Sequence, residues 1–458
     1  MYLRQSFGTK VTPQSEAILG KPQVQNNANG YGFAVDDWVR LHRFLILGSE
    51  GGTYYQTEQK LTRENAEASL RCVKQDGQRV VHLVTDISTS GRAHKNDPAI
   101  FILAMACGTG NSETRKYALN ALPSVCRTGT HILHFAEYVQ QFRGWGRGLR
   151  RAIGDWYQSR SIEQLSYQIA KYPSRDKWSH SDLLRLSHPR TTNVSRNLVY
   201  KYIVDGWQEN MAGQNNLLEA IEAAKTVTET EKITSLIRED HLEREMIPNQ
   251  WLTKPAVWEA LLEHMPMTAM IRNLGNMSKV GLLVPLSEAE RLVVQRLSNK
   301  ERLFQAKIHP IALLAALTTY AQGHGVVGKG NWDVATRVVD ALNDAFYLSF
   351  GNVQATNKRL ILAIDVSDSM TAGQVSGVAG LTPNKAAAAM SLVTANVEPN
   401  YAIMGFSDEF RDLGISPKQR LDDVSKRLHD SSFGQTDCAL PMLWAGMKGI
   451  KADAFIVY

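Results

Sequence analysis

From Asp36 to Phe350 the sequence keeps returning to one pattern: a short run with apolar side chains at helical spacing, then a break at Gly, Asn, Asp or Pro. Trp38, Leu41, Phe44 and Leu45 open it, and residues 61–74 continue it with Ala66, Leu70 and Val73 on one face. Residues 78–90, 98–107, 112–121 and 128–142 follow, and later 194–206, 217–225, 230–247, 255–265, 269–274, 287–297, 310–322 and 331–350. A helix with one apolar stripe must bury it against a neighbour. A long series of them, joined by short turns, therefore folds as helix pairs stacked side by side, an α-solenoid. No strict sequence repeat accompanies the rhythm. Such a stack has broad surfaces that suit an extended polymer better than a deep catalytic cleft does. Residues 1–34, rich in Gln, Asn, Gly and Ser, read as an extended or partly ordered arm.

At Lys358 the texture changes. Leu360-Ile361-Leu362-Ala363-Ile364 reads as a buried strand, 385–396 as a helix, 401–406 as a strand, 421–430 and 438–448 as helices, and 454–458 as a strand. Alternating strand and helix specifies a doubly wound parallel α/β sheet. The chain thus divides into a helical part, 1–357, and an α/β part, 358–458. The first strand runs into Asp365-Val366-Ser367-Asp368-Ser369, and in such sheets ligands bind at the carboxyl ends of the strands. One carboxylate and two alternating hydroxyls suit a hard, partly hydrated Mg²⁺. Gly434-Gln435-Thr436-Asp437 arrives from another strand-end loop. The competing reading has Asp365 and the serines merely capping the helix that follows.

A second feature lies inside the helical part. From Arg143 to Lys201 twelve Lys and Arg face four Asp and Glu, a larger excess than the +6 of the whole chain. Arg147, Arg150 and Arg151 share one side of a helix, while Leu149, Ile153 and Trp156 on the other side can bury. A second helix starts at Ser161, with Gln164 completing a capping box, and stops before Pro173; it carries Lys171 in its last turn. A third, 181–188, is closed by Pro189, so Lys171, Arg175 and His188 sit at helix ends and connectors. Trp145, Trp156, Tyr157, Tyr167, Tyr172 and Trp178 are interleaved, and His180 and His188 add hydrogen-bond donors. Cations beside planar rings match a phosphate backbone with unstacked bases. A charged helix face is often no more than solvated. A merely soluble surface, however, mixes its signs.

The remaining signals exclude more than they add. A pI of 9.0 favours acidic partners, nucleic acid first and membrane surface second. The four cysteines form no CxxC pair and read as thiols in a reducing compartment. No apolar run is long enough to cross a bilayer, and the polar first residues lack a signal-peptide core, so a cytoplasmic protein is expected. Gly323 to Lys329 fits GxxxxGK, but Gly330 stands where Ser or Thr is needed and a helix precedes it, so a turn between helices is the better reading than an NTPase loop. His131 and His134 share an apolar helix face and read as packed rather than ligating. No enzyme active site emerges.

These features together resemble the Ro RNA-binding protein family, whose helical part is the TROVE module and whose C-terminal part is a von Willebrand factor A domain. The resemblance is carried by Gly144-Trp145-Gly146-Arg147-Gly148-Leu149-Arg150-Arg151, Trp178-Ser179-His180, residues 183–188, residues 267–277 (MTAMIRNLGNM), Ile308-His309-Pro310, Gly323-His324-Gly325 and Gly434 to Cys438. It implies HEAT-like helix pairs closing into a monomeric ring. It further implies Y RNA on the outer surface, with contacts falling on Lys171, Arg175 and His188, and single-stranded 3′ ends of misfolded RNA in the central hole. A bacterial member would connect Y RNA to an exoribonuclease. The metal-ion-dependent adhesion site of the A domain carries over to Asp365, Ser367, Ser369 and Thr436, with Mg²⁺ as the cation. That family's further Asp follows the strand that is here 454–458, so the domain reads as truncated and one ligand short. A different class of reading is a metal-dependent protein-interaction scaffold acting through the same site.

Overall fold

The computed structural model describes residues 16–25, 30–49, 57–93, 95–325, 330–375, 378, 380–430 and 436–458. They fall into two compact units, one ending at Pro248 and the other spanning Asn249–Tyr458.

The first unit opens on a small antiparallel pair, Gln23–Gln25 with Tyr31–Phe33, where the sequence suggested an arm. Helices follow: Asp37–Leu47, Glu58–Ser90, Asp97–Thr109, Ser112–Val125 and Gly129–Phe142. Four of the five starts are set by side chains that accept from orphan backbone N–H groups, Asp36, Thr57, Asn111 and Thr128, while Asp97–Thr109 starts with Pro98 in its first turn and no side-chain cap. The break expected between residues 74 and 78 appears as non-helical backbone at Asp76 inside Glu58–Ser90, where the Asp76 carboxylate accepts from Arg79 N–H at 3.0 Å. Each helix packs mainly on neighbours one or two along the chain, as stacked helix pairs do. The approach is close at glycines. A Cβ on Gly108 would lie 2.2 Å from Cβ of Phe142 in the helix two along.

The charge-rich span supplies Arg147–Gln158, Ile162–Lys171, a two-stranded ribbon (Ser174–Arg175 with Trp178–Ser179), His180–Ser187 and Val194–Asp205. The capping box at Ser161 is present: Ser161 Oγ accepts from Gln164 N–H and Gln164 Oε1 from Ser161 N–H, both at 3.2 Å. The helix expected over 230–247 stops at Glu239. Left-handed backbone at His241 (φ 52°) ends it, and a short 3₁₀ turn, Arg244–Met246, follows.

The second unit stacks Pro255–His264, Met267–Lys279, Glu288–Leu297, Lys300–Gln305, Pro310–Ala321 and Thr336–Leu348. Gly323 and Trp332 close a turn after Pro310–Ala321 through Trp332 N–H to Gly323 C=O; of the GxxxxGK stretch, residues 326–329 lie outside the described set. The expected boundary at 357 and 358 falls inside this unit, where Thr356 and Asn357 N–H both donate to the Glu398 carboxylate. The sheet beyond it has the order Phe410–Asp412, Asn400–Phe406, Arg359–Asp365, Ala454–Val457. The central strand is parallel to both neighbours, with Leu362 opposite Ile403 and Ile456. Leu360 to Ile364 are all buried, as a strand covered on both faces requires. Phe410–Asp412 adds an antiparallel edge that three residues are too few to announce.

Candidate nucleic-acid interface

The twelve cations of the basic span are not equivalent; Arg185, for one, is exposed but donates to Val204 C=O at 3.3 Å. Arg143, Arg160 and Arg196 are structural. Arg143 donates to Cys107 C=O, Arg160 to Trp156, Cys126 and Arg127 C=O, and Arg196 to Tyr157 and Arg160 C=O. These carbonyls belong to helix C-termini, where a guanidinium is favourable. Arg160 also lies 3.5 Å over the Trp156 ring, and burial lowers its pKa to about 10. Arg147, Arg150 and Arg151 are exposed, with no carboxylate in ion-pair range among the described residues. Lys177, Arg190 and Lys201 are exposed as well.

The rings divide in the same way. Trp156 and Tyr157 are fully buried, and His180 is 3% exposed with its Nδ1 at 2.7 Å from the Tyr157 hydroxyl. Burial lowers the His180 pKa to about 4. Trp156 buries beside Leu149 and Ile153, as its spacing suggested, whereas Tyr157 and His180, expected among the surface groups, are core instead; an aromatic at helical spacing cannot be told from a core residue without its neighbours. Trp145 and Trp178 remain part-exposed and lie ring to ring, 5.4 Å apart. Trp145 is two residues before Arg147, and Trp178 pairs across the ribbon with Arg175. The ring contact therefore brings the Arg147 helix start and the ribbon side by side.

The ribbon turns at Asp176 and Lys177, with φ 51° and 68°. Two left-handed residues in a two-residue loop mark a type I′ turn, which favours Asn-Gly over Asp-Lys. Each non-glycine residue there costs on the order of 1 kcal/mol. The turn projects Arg175 and Lys177 outward. Arg175 has its side chain 59% exposed and, among the described residues, pairs only with its neighbour Asp176, at 3.8 Å. The Asp176 carboxylate turns inward to Nδ1 of His134, whose Nε2 lies 3.6 Å from Asp97. His134 and His131 are thus interior groups, as their spacing suggested; burial lowers the His131 pKa to about 4. His188 closes the His180–Ser187 helix in a left-handed conformation (φ 46°, ψ 55°) and its side chain is exposed.

Lys171 is placed differently from the others. Its ammonium pairs with Glu243 and donates to the Tyr167 hydroxyl at 2.7 Å, and Tyr167 donates to Glu243 at 2.6 Å. Burial pushes the lysine pKa down, but the Glu243 and Tyr167 hydrogen bonds outweigh it and hold it well above the ordinary value. Lys171 is 20% exposed, at the rim of the surface rather than on it.

At the strand end of the second unit, Asp365, Ser367, Ser369 and Thr436 come together. Asp365 Oδ1 accepts from Ser367 N–H at 2.8 Å, the Ser367 and Ser369 hydroxyls are 2.9 Å apart, and Thr436 Oγ1 lies 3.4 Å from Asp365 Oδ2. Ser367 precedes the 3₁₀ turn Asp368–Thr371 without a side-chain cap, so helix capping does not account for the arrangement. One carboxylate and three hydroxyl oxygens at one point form a donor set that fits a hard divalent cation. It differs in kind from clusters of three or more His, Cys, Asp and Glu, of which the described residues hold none. Asp437 N–H is held by Ser407 C=O, which fixes where Thr436 arrives. Gly434 and Gln435 lie outside the described residues. Cys438 beside the loop is exposed; Cys72, Cys107 and Cys126 are buried, and all four are free.

The TROVE domain profile matches residues 24–243 and 239–323, and the Ro60 vWA domain profile matches 359–458. The chain belongs to the Ro family. It is 42% identical over 451 residues to RNA-binding protein RO60 of Deinococcus radiodurans, covering 97% of this chain and 84% of that one. It is 34% identical over 529 residues to RNA-binding protein RO60 of Caenorhabditis elegans, covering 98% and 81%. The fold agrees with the crystal structure of the Deinococcus radiodurans RO (RSR) protein at a TM-score of 0.83 and 41% identity, over 92% of this chain and 86% of that one. Among the described residues no helix is long and apolar enough to cross a membrane.

For this Ro-family chain, sequence reasoning missed the ribbon and Glu243. A two-residue Asp-Lys turn between short runs after Pro173 was the available signal for the first. Nothing local marks Glu243, which lies 72 positions beyond Lys171 and within a stretch that reads as continuous helix.

Proposed function

We propose that this chain binds RNA on the surface formed by the Arg147–Gln158 helix, the Arg175–Lys177 ribbon and the His188 helix end. The observation that carries this reading is the trio Arg147, Arg150 and Arg151, exposed and without carboxylate partners among the described residues, adjoining the ribbon through the Trp145–Trp178 contact. Guanidiniums grip phosphates, and the part-exposed rings and His188 add shape to the contact. The relatives' names, RNA-binding proteins, agree with it. The RNA class we propose is a small folded noncoding RNA of the Y type, with Lys171, Arg175 and His188 among its contacts. Single-stranded 3′ ends of misfolded RNAs are a second class, and an exoribonuclease is a proposed protein partner. The free thiols fit a reducing, cytoplasmic setting.

Asp365, Ser367, Ser369 and Thr436 would hold Mg²⁺, which supplies a Lewis-acidic contact for a carboxylate. That cluster favours a second, metal-dependent protein-docking role in the A domain.

Purification of the full chain without ribonuclease, followed by sequencing of the RNA that copurifies, tests the first reading. Recovery of a discrete small RNA, rebound in vitro with a steep salt dependence, is the expected result. A chain that emerges RNA-free and binds stem–loop RNA no better at low salt than at high salt refutes it. Pull-downs with ribonuclease, with and without Mg²⁺, separate the docking role.

A further inference from the structure

A ribbon with two left-handed non-glycine residues at its tip stays in place only if something holds it. Here the holder is one buried imidazole. His134 points from the Gly129–Phe142 helix between two carboxylates: Asp176 of the ribbon turn at Nδ1, and Asp97, the first residue of the Asp97–Thr109 helix, at Nε2, 3.6 Å away. The ring is 10% exposed on its side chain and stacks on Tyr138 at 6.1 Å. Glu137, three residues along the same helix, adds a second tie: its carboxylate accepts from the Trp178 indole N–H at 3.0 Å. The other charged and titratable groups around the ring are His131 on its own helix, whose Nδ1 faces Asn96, and Arg175 beside Asp176. His180, on another helix packed here, turns its Nδ1 to Tyr157 instead.

Nδ1 of His134 holds the Asp176 carboxylate, and Nε2 lies 3.6 Å from Asp97, beyond hydrogen-bond length but within reach of its charge. Asp97 therefore sits behind the ring and favours the orientation that turns Nδ1 to the ribbon. We infer that His134, with Asp97 behind it, is a positioning residue for the RNA surface: it fixes the Arg175–Lys177 ribbon through Asp176. The inference rests on the proposed RNA-binding reading for its consequence. The hold on the ribbon can be observed without RNA.

Hydrogen–deuterium exchange of the full chain at one pH reads the hold on the ribbon directly. In His134→Gln the peptide spanning residues 172–179 exchanges faster than in the unsubstituted chain, while peptides of the Arg147–Gln158 helix do not change, which separates a loosened ribbon from a loosened fold. Asp97→Asn gives a smaller increase in the same peptide. Binding of a labelled stem–loop RNA with an internal bulge weakens about threefold to tenfold in His134→Gln, a typical coupling. His188→Ala serves as the control for the exposed histidine and leaves the exchange profile unchanged. An exchange profile for His134→Gln that matches the unsubstituted chain overturns the positioning role. A ribbon loosened in exchange, together with RNA affinity that ignores both His134→Gln and Arg175→Ala plus Lys177→Ala, instead overturns the assignment of the ribbon to RNA.

Discussion

Removing Lys171 changes two things that the structure allows to be separated. The ammonium and its partner Glu243 are 20% and 23% exposed, and Tyr167 bonds to both. A hydrogen bond to a charged group is worth roughly 1.5–3 kcal/mol, and stripping one partner from a part-buried pair leaves the other poorly solvated. Lys171→Ala therefore destabilises the first unit by about 2–3 kcal/mol whatever RNA does. Glu243→Gln keeps the shape and frees the ammonium, at a cost of about 1–2 kcal/mol. If Lys171 meets a phosphate, Glu243→Gln steepens the logarithmic dependence of RNA affinity on salt by about 0.7–0.9, one counterion's worth. The double variant returns to the slope of Lys171→Ala, closing a mutant cycle. Titrations of a labelled stem–loop RNA at four KCl concentrations, beside urea unfolding curves, give both quantities. Because the folded-state pKa of Lys171 is raised, its stabilisation is present below the ordinary lysine value and is lost only as pH rises through the higher folded one. The stability gap between the unsubstituted chain and Glu243→Gln is therefore flat over about pH 6 to 9 as far as Lys171 is concerned. Unchanged unfolding in Glu243→Gln would falsify the pairing argument. Unchanged salt slopes in all three variants would make Lys171 a purely structural residue.

Replacing Arg147, Arg150 and Arg151 together by Ala makes the salt slope shallower by about 2–3, while the unfolding free energy stays within about 0.5 kcal/mol of the original, because these side chains are exposed and unpaired among the described residues; an unaltered slope counts against the site. Adding MgCl₂ at a hundredfold excess over its Kd stabilises the second unit by about 2.7 kcal/mol, and Asp365→Ala abolishes the effect; a variant that still responds rules out Asp365 as a ligand. Gly108→Ala forces the Asp97–Thr109 and Gly129–Phe142 helices apart, since the new Cβ would stand 2.2 Å from that of Phe142, and destabilises by about 1–3 kcal/mol in urea unfolding. A neutral result would show that the two helices separate freely.

The helical rhythm, the capping box at Ser161 and the alternation after Lys358 were legible because they depend on residues within a turn or two of one another. Local sequence also determined that Arg147, Arg150 and Arg151 share a face opposite Leu149, Ile153 and Trp156, and that Asp365, Ser367 and Ser369 leave one strand end together. What tertiary structure alone decided is which charges are available. Arg143, Arg160 and Arg196 look like their neighbours in sequence, yet each meets backbone carbonyls from distant helix ends. His180 turned inward because Tyr157 was waiting for it. The helix expected to reach residue 247 stopped at Glu239, and the turn that replaced it delivered Glu243 to Lys171. The physical reason is range. Helix periodicity and caps are properties of a few consecutive residues, whereas the neutralisation of a charge depends on whichever group folding brings within a few ångströms of it.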